Sequence, residues 1–169
     1  MADHSPSSSV AQDHWAATWI PASNGQLSPN AFNYYRQHIG RGDYEGGVHP
    51  GFIINQGLHI AFRGKEIILK NYQVLSAKIC GSLTSVDQAQ DQFKWKAFHG
   101  EVRPQFNIPL KAGHEKDGKE LYIARIRHGN DGYIYGKAGR HLIEGAAYAF
   151  LGKEYRALDY EVLVFQDNE

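Results

Sequence analysis

The sequence predicts an all-β fold, two related antiparallel β units packed as one pseudo-twofold body, and three observations carry that prediction. The first is repetition. Residues 57–75, GLHIAFRGKEIILKNYQVL, return as residues 145–163, GAAYAFLGKEYRALDYEVL, at a constant offset of 88. Gly57 meets Gly145, Phe62 meets Phe150, and Gly64-Lys65-Glu66 meets Gly152-Lys153-Glu154. Tyr72 and Val74-Leu75 likewise meet Tyr160 and Val162-Leu163, so shape-setting glycines and apolar anchors recur together. The second observation is the number of short words of alternating polarity separated by Gly-centred turns. The third is the lack of a long stripe of period 3.6, with gaps too short for the helical crossovers of a parallel sheet. Each unit alone would bury too little surface to be stable, which favours one shared body.

In chain order, residues 1–14, opening MADHSPSSSVAQD, have little to bury and are expected to be flexible. The first unit is expected over 15–76. Trp15 and Trp19 open it, and Asn24-Gly25 and Ser28-Pro29-Asn30 turn the chain. Aromatic residues around Gly-rich words between Ala31 and Gly47 point to short strands joined by tight turns. Leu58, Ile60 and Phe62 alternate with His59, Ala61 and Arg63, so one sheet face carries the three large apolar groups. Ala146, Tyr148 and Phe150 hold the matching positions. Tyr72–Leu75 and Tyr160–Phe165 close the two units. Residues 77–92 form a polar connection in which Asp87 to Gln92 can make a short helix, with no clear cap.

The second unit is expected over 93–165 and starts at Trp95, which repeats Trp19; Gly100 and Pro104 repeat Gly25 and Pro29 at an offset near 75. This unit is therefore longer, and the extra residues fall between Pro104 and Leu121, around KAGHEKDGKE. Leu121 to Arg127 is the best strand signal in the chain. Ile39-Gly40-Arg41 echoes Ile123-Ala124-Arg125, which makes a scaffold role for the two arginines more natural than a role in one unequal site.

Charge balances, with 18 basic and 18 acidic side chains. No global field collects nucleic acid or an anionic membrane. Cys80 is the only cysteine, which excludes an intramolecular disulfide and fits a reducing compartment. No signal peptide and no apolar run long enough to span a bilayer is visible, so a cytoplasmic location is expected, with non-classical export left open. The nine histidines form no zinc word, although His49 with His59, or His128 with His141, can meet in space. No nucleophile elbow, phosphate loop or paired catalytic carboxylate is legible, so neither enzyme activity, a cofactor nor a metal is expected. The twin Gly-Lys-Glu words are read as turns with local charge pairing.

Residues 110–154, LKAGHEKDGKELYIARIRHGNDGYIYGKAGRHLIEGAAYAFLGKE, with YEVLV at 160–164, resemble a DM9-repeat protein. IGR at 39–41, HPGF at 49–52, FRGKE at 62–66 and YQVL at 72–75 extend the resemblance to a degenerate first repeat. The chain is thus similar to the tandem-repeat, mannose-binding DM9 lectins of bivalves. The resemblance implies an all-β body, pairing into dimers, a role in immune recognition and a mannose-type saccharide as partner.

In those lectins an acidic residue in an A-G-aromatic-D word and the lysine of a P-G-K word hold the sugar. Carried here, they fall on Glu115 in Ala112-Gly113-His114-Glu115 and Lys137 in Tyr135-Gly136-Lys137. Glu replaces Asp, and Tyr135 replaces proline. The first unit reads Pro50-Gly51-Phe52, lacks the lysine and has no match to AGHE, so one principal site in the second repeat is expected. The chemistry is suitable: a carboxylate accepts sugar hydroxyl hydrogens and an ammonium donates to oxygens. Tyr133 and Tyr135 are the further candidates, as rings or phenols at the rim. The runner-up reading is an intracellular protein-interaction or stress-associated scaffold without a sugar ligand. A homodimer is expected in either case, because duplicated β units leave sheet edges to cover.

Overall fold

The computed structural model describes residues 15–79, 81, 83–104, 107–130 and 132–166. Residues 1–14, with their expected flexibility, lie outside the described residues, as do Cys80 and Asp131. Six strands make the first half: β1 (Ala17–Ser23), β2 (His38–Tyr44), β3 (Gly47–Ile54), β4 (Gly57–Phe62), β5 (Lys65–Leu69) and β6 (Asn71–Ala77). A short helix, α1 (Val86–Gln90), follows. The second half holds β7 (Phe93–His99), β8 (Lys111–His114), β9 (Glu120–His128), β10 (Gly132–Ala138), β11 (Ala146–Phe150), β12 (Lys153–Ala157) and β13 (Asp159–Phe165). The helix is capped after all: Ser85 Oγ accepts a hydrogen bond from Gln88 N at 3.1 Å, which places its start before Asp87.

The strands form one antiparallel sheet in the order β1-β6-β2-β3-β4-β5-β12-β11-β10-β9-β13-β7. Read from the centre outward, the order is the same on both sides, which is the pseudo-twofold arrangement expected from the repeat. The register confirms it residue by residue. Trp19 lies opposite Leu75 and Trp95 opposite Leu163; Arg41 lies opposite Gln73 and Arg125 opposite Glu161. Each arginine stacks on its tryptophan, at 4.5 Å for Arg41 and 4.4 Å for Arg125. Each also donates its Nε proton to the residue opposite, at 2.7 Å to Gln73 and 2.9 Å to Glu161. A desolvated cation on an indole contributes about 1–2 kcal/mol, so the repeated arginines lock corresponding strand triplets.

The twin Gly-Lys-Glu turns meet at the centre of the sheet, where β5 pairs with β12. Gly64 N donates to Glu154 Oε1 at 2.9 Å, and Gly152 N donates to Glu66 Oε1 at 2.8 Å. Each copy therefore satisfies the turn of the other. Repetition at this word serves the join between halves, because a reciprocal contact needs the same letters on both sides.

A central core takes Trp19, Phe32, Ile39 and Leu75 from the first half and Phe93, Ile123, Tyr135 and Leu163 from the second. Smaller clusters flank it: Leu58, Ile60, Tyr72 and Val74 on one side, Tyr122, Ala124, Ile126, Tyr160 and Val162 on the other. Strand β9 is buried on both faces, Ile123 in the shared core and Tyr122, Ala124 and Ile126 in the flanking one, which explains its near-continuous apolar run. Because the large central cluster mixes both halves, neither half has a complete core of its own. Among the described residues no helix is long and apolar enough to cross a membrane.

Candidate functional site

The extra residues of the second half build one side of the site. They form β8, which pairs with β9 of its own half and with β3 of the other half through Val48 and His114. The approach is close: a Cβ on Gly113 would sit 2.0 Å from the Val48 carbonyl oxygen. Only glycine permits it. Strands β3-β4-β5-β12-β11-β10-β9-β8 thereby close into a ring. Beyond β8 the chain turns tightly, with Gly118 N donating to the Glu115 carbonyl at 2.9 Å, and Glu115 is held at the lip of the ring.

Lys137 comes from β10, where it lies opposite Ala147 of β11. A Cβ on the preceding Gly136 would sit 2.1 Å from the Ala147 carbonyl oxygen. Gly113 and Gly136, the glycines of the two site words, thus each admit a neighbouring strand. Glu115 and Lys137 line the same hollow of about 1030 Å³, together with Phe62 and Arg63 from the first half and His141, Glu154 and Arg156 from the second. Residues 22 positions apart in sequence are brought to one cleft by the β8–β9–β10 meander.

Among the described residues each side chain has one polar partner. His141 Nε2 donates to Glu115 Oε2 at 2.8 Å, and Lys137 Nζ donates to His49 Nδ1 at 3.1 Å. Lys137 is 5% exposed and His49 1%. Burial pushes the His49 imidazole down to about 4, and the Lys137 charge pushes the same way against the opposing field of Glu115. His49 is therefore neutral at pH 7 and can accept from an ammonium. Burial lowers Lys137 as well, with Glu115 and Glu154 opposing. Burial raises Glu115, but the His141 hydrogen bond and, next, the Lys137 charge outweigh it and leave this carboxyl below its usual range. Among the described residues this leaves one Glu115 carboxylate oxygen and two Lys137 ammonium protons without a partner, facing one open hollow, with the Phe62 ring 5.6 Å from Lys137 Nζ.

Tyr133 and Tyr135 are not brought to this hollow, which corrects the expectation of a shared rim. They share the Lys137 face of β10, but Tyr133 lies four residues away, about 13 Å along a strand. Tyr135 is core, 1% exposed, beside Trp95 and donating to the Tyr34 carbonyl at 3.3 Å. Tyr133 packs on Tyr35 at 5.0 Å and its hydroxyl accepts from Arg127 at 3.1 Å. Both line a different hollow, of about 500 Å³, at the matching place in the other half.

The histidine pairs considered from sequence are split between the hollows: His49 and His141 serve the first, His59 and His128 line the second. The roles of His49 and His141 are not legible in the sequence, because their partners, Lys137 in β10 and Glu115 in the turn after β8, lie far along the chain and nothing nearby marks them. Among the described residues no group of three or more His, Cys, Asp or Glu side chains is arranged to hold a metal ion.

The first half has the same register at the matching positions. Phe52 lies opposite His59 as Lys137 lies opposite Ala147, and a Cβ on Gly51 would meet the His59 carbonyl oxygen at 2.1 Å. Phe52 thus stands in the place of Lys137. Its ring stacks on His59 at 5.0 Å and 12°.

Among known families, the DM9 repeat matches residues 32–142. No curated protein matches the sequence significantly. The crystal structure of the nematode sperm cell motility protein MFP2B is similar in fold, with a TM-score of 0.61 at 14% identity. The similarity covers 89% of this chain and 44% of that one, so the present chain spans under half the length of that relative. At that identity the likeness concerns the fold alone.

Proposed function

Since the chain belongs to the DM9 repeat family, we propose that it is a non-enzymatic carbohydrate-binding protein, mannose-directed, with one principal site in the hollow between Glu115 and Lys137. The observation that carries this reading is the convergence of those two side chains on one open hollow, each already oriented by a histidine. Glu115 accepts from vicinal hydroxyls, Lys137 donates to a ring or hydroxyl oxygen, and Phe62 offers an apolar face to the C–H side of the sugar. The orienting partners matter because a pre-held pair loses little freedom on binding. Phe52 in the place of Lys137 leaves the first half without the donor, which supports a single site per chain.

Isothermal titration with mannose and a small glycan panel tests the reading. Saturable binding that Lys137→Met abolishes, in a protein that still melts cooperatively, is the expected outcome. Folded protein that binds no glycan would sink it. Capture of a protein partner that survives both Lys137→Met and competing sugar would assign the surface to protein interaction instead. We also propose that strands β1 and β7, the two ends of the sheet path, pair between chains into a homodimer; a monomer mass at all concentrations in light scattering would reject it.

A further inference from the structure

The second hollow, about 500 Å³ and lined mainly by apolar and aromatic groups, has a size suited to a small ligand. Its walls present Phe52 stacked on His59, and Phe150 with the His128 ring centroid 4.2 Å away and tilted 54° to it. The one carboxylate on its wall is already engaged. Glu66 Oε1 accepts from Gly152 N at 2.8 Å and Oε2 from His59 Nδ1 at 2.7 Å. Arg36, also on the wall, has no carboxylate at ion-pair distance among the described residues. It sits with Tyr35 in a turn where both have left-handed backbone, φ 63° and 54°. Gln37 Oε1 and His59 Nε2 are buried on the same wall with no hydrogen-bond partner among the described residues, so the polar bonding of this wall is incomplete in the free protein.

From aromatic walls, a satisfied acid and a cation with no carboxylate partner among the described residues, we infer that this hollow binds a planar aromatic carboxylate of one or two rings. The ring lies among Phe52, Phe150 and His128, and the carboxylate meets Arg36. The inference does not depend on sugar binding, which uses the other hollow.

The test uses the full chain with 6-hydroxy-2-naphthoate, whose hydroxyl can also supply a missing donor, and its neutral amide as control. Titration followed by amide NMR is expected to show saturable shifts at Ile54, Gly132 and Leu151, with Lys119 and His141 unmoved. The acid is expected to bind about threefold more tightly than the amide, the scale of an exposed ion pair. Arg36→Asn, chosen because Asn tolerates a left-handed backbone, should bring the acid down to the affinity of the amide and leave the amide unchanged. Saturating mannose should not compete. Absence of saturable binding, shifts confined to the Glu115–Lys137 hollow, or equal affinity for acid and amide in the unsubstituted protein would each overturn the inference.

Discussion

The two hollows share one backbone and differ in a handful of side chains. Lys137 and Ala147 of the first answer to Phe52 and His59 of the second by strand register; Arg63 answers to Leu151 by the sequence offset of 88, and His49, behind Lys137, to Ile134. The first also has the β8 lip with Glu115, for which the first half has no counterpart of matching sequence. One scaffold has thereby become polar and open on one side, aromatic and less open on the other. Duplication supplies a second cleft for little structural cost, and a few substitutions then decide what chemistry each can hold.

The strongest way to break the contrast is to remove the lip. Gly113→Val forces a side chain into the Val48 carbonyl, so it should destabilise the fold by about 3–4 kcal/mol, read as a lower urea midpoint, and sugar affinity should fall with it. Lys137→Met separates binding from stability. It removes a charge-assisted donor worth roughly 1.5–3 kcal/mol, so affinity should drop at least about tenfold, while the urea midpoint stays near that of the unsubstituted protein because a buried charge is replaced by an apolar group of similar length. The converse graft, Phe52→Lys, should create no sugar site, since no partner for it is built on that side; new saturable mannose binding in the double variant with Lys137→Met would refute the asymmetry.

Acid should sharpen the contrast further. The folded His49 value, about 4, lies below its ordinary 6.5, so the unfolded chain binds more protons between those values. Stability is then full above pH 6.5 and falls as pH drops towards 4. The depressed Glu115 carboxyl acts in the same direction at the acid end. Replacing His49 by Gln should flatten the slope of unfolding free energy against pH in that window; an unchanged slope would remove His49 from the account. The smallest effects belong to the shared join. Glu66→Gln and Glu154→Gln should each cost about 1 kcal/mol, with Glu66 the costlier because it also holds His59 at 2.7 Å, whereas Glu154 has Arg156 only at 3.7 Å. Equal losses in chemical denaturation would show that the His59 contact contributes nothing.

The helix boundary and the site residues show where sequence reasoning stopped. Ser85 is an ordinary N-cap residue, and its serine was visible in the letters, but the polar run around it offered several equivalent starts. Tyr133 and Tyr135 are plausible rim groups by type; the pleat that puts them on the Lys137 face also carries both along the strand to the second hollow, and Tyr135 into the core. His49 could not be found because its partner is 88 residues away. The Gly-Lys-Glu words were legible as turns, yet that each turn is satisfied by the other required the halves to be placed side by side.

What the letters alone determined here is what local rules govern: strands from alternation, turns from glycine, and the equivalence of two halves from a constant offset. Only the folded chain decided that β8 reaches across to β3, that Lys137 leans on His49, and that one cleft is charged while its twin is aromatic. Those contacts join residues far apart in sequence, and their energies depend on burial and on which strand lies opposite, quantities that do not exist until the sheet has closed.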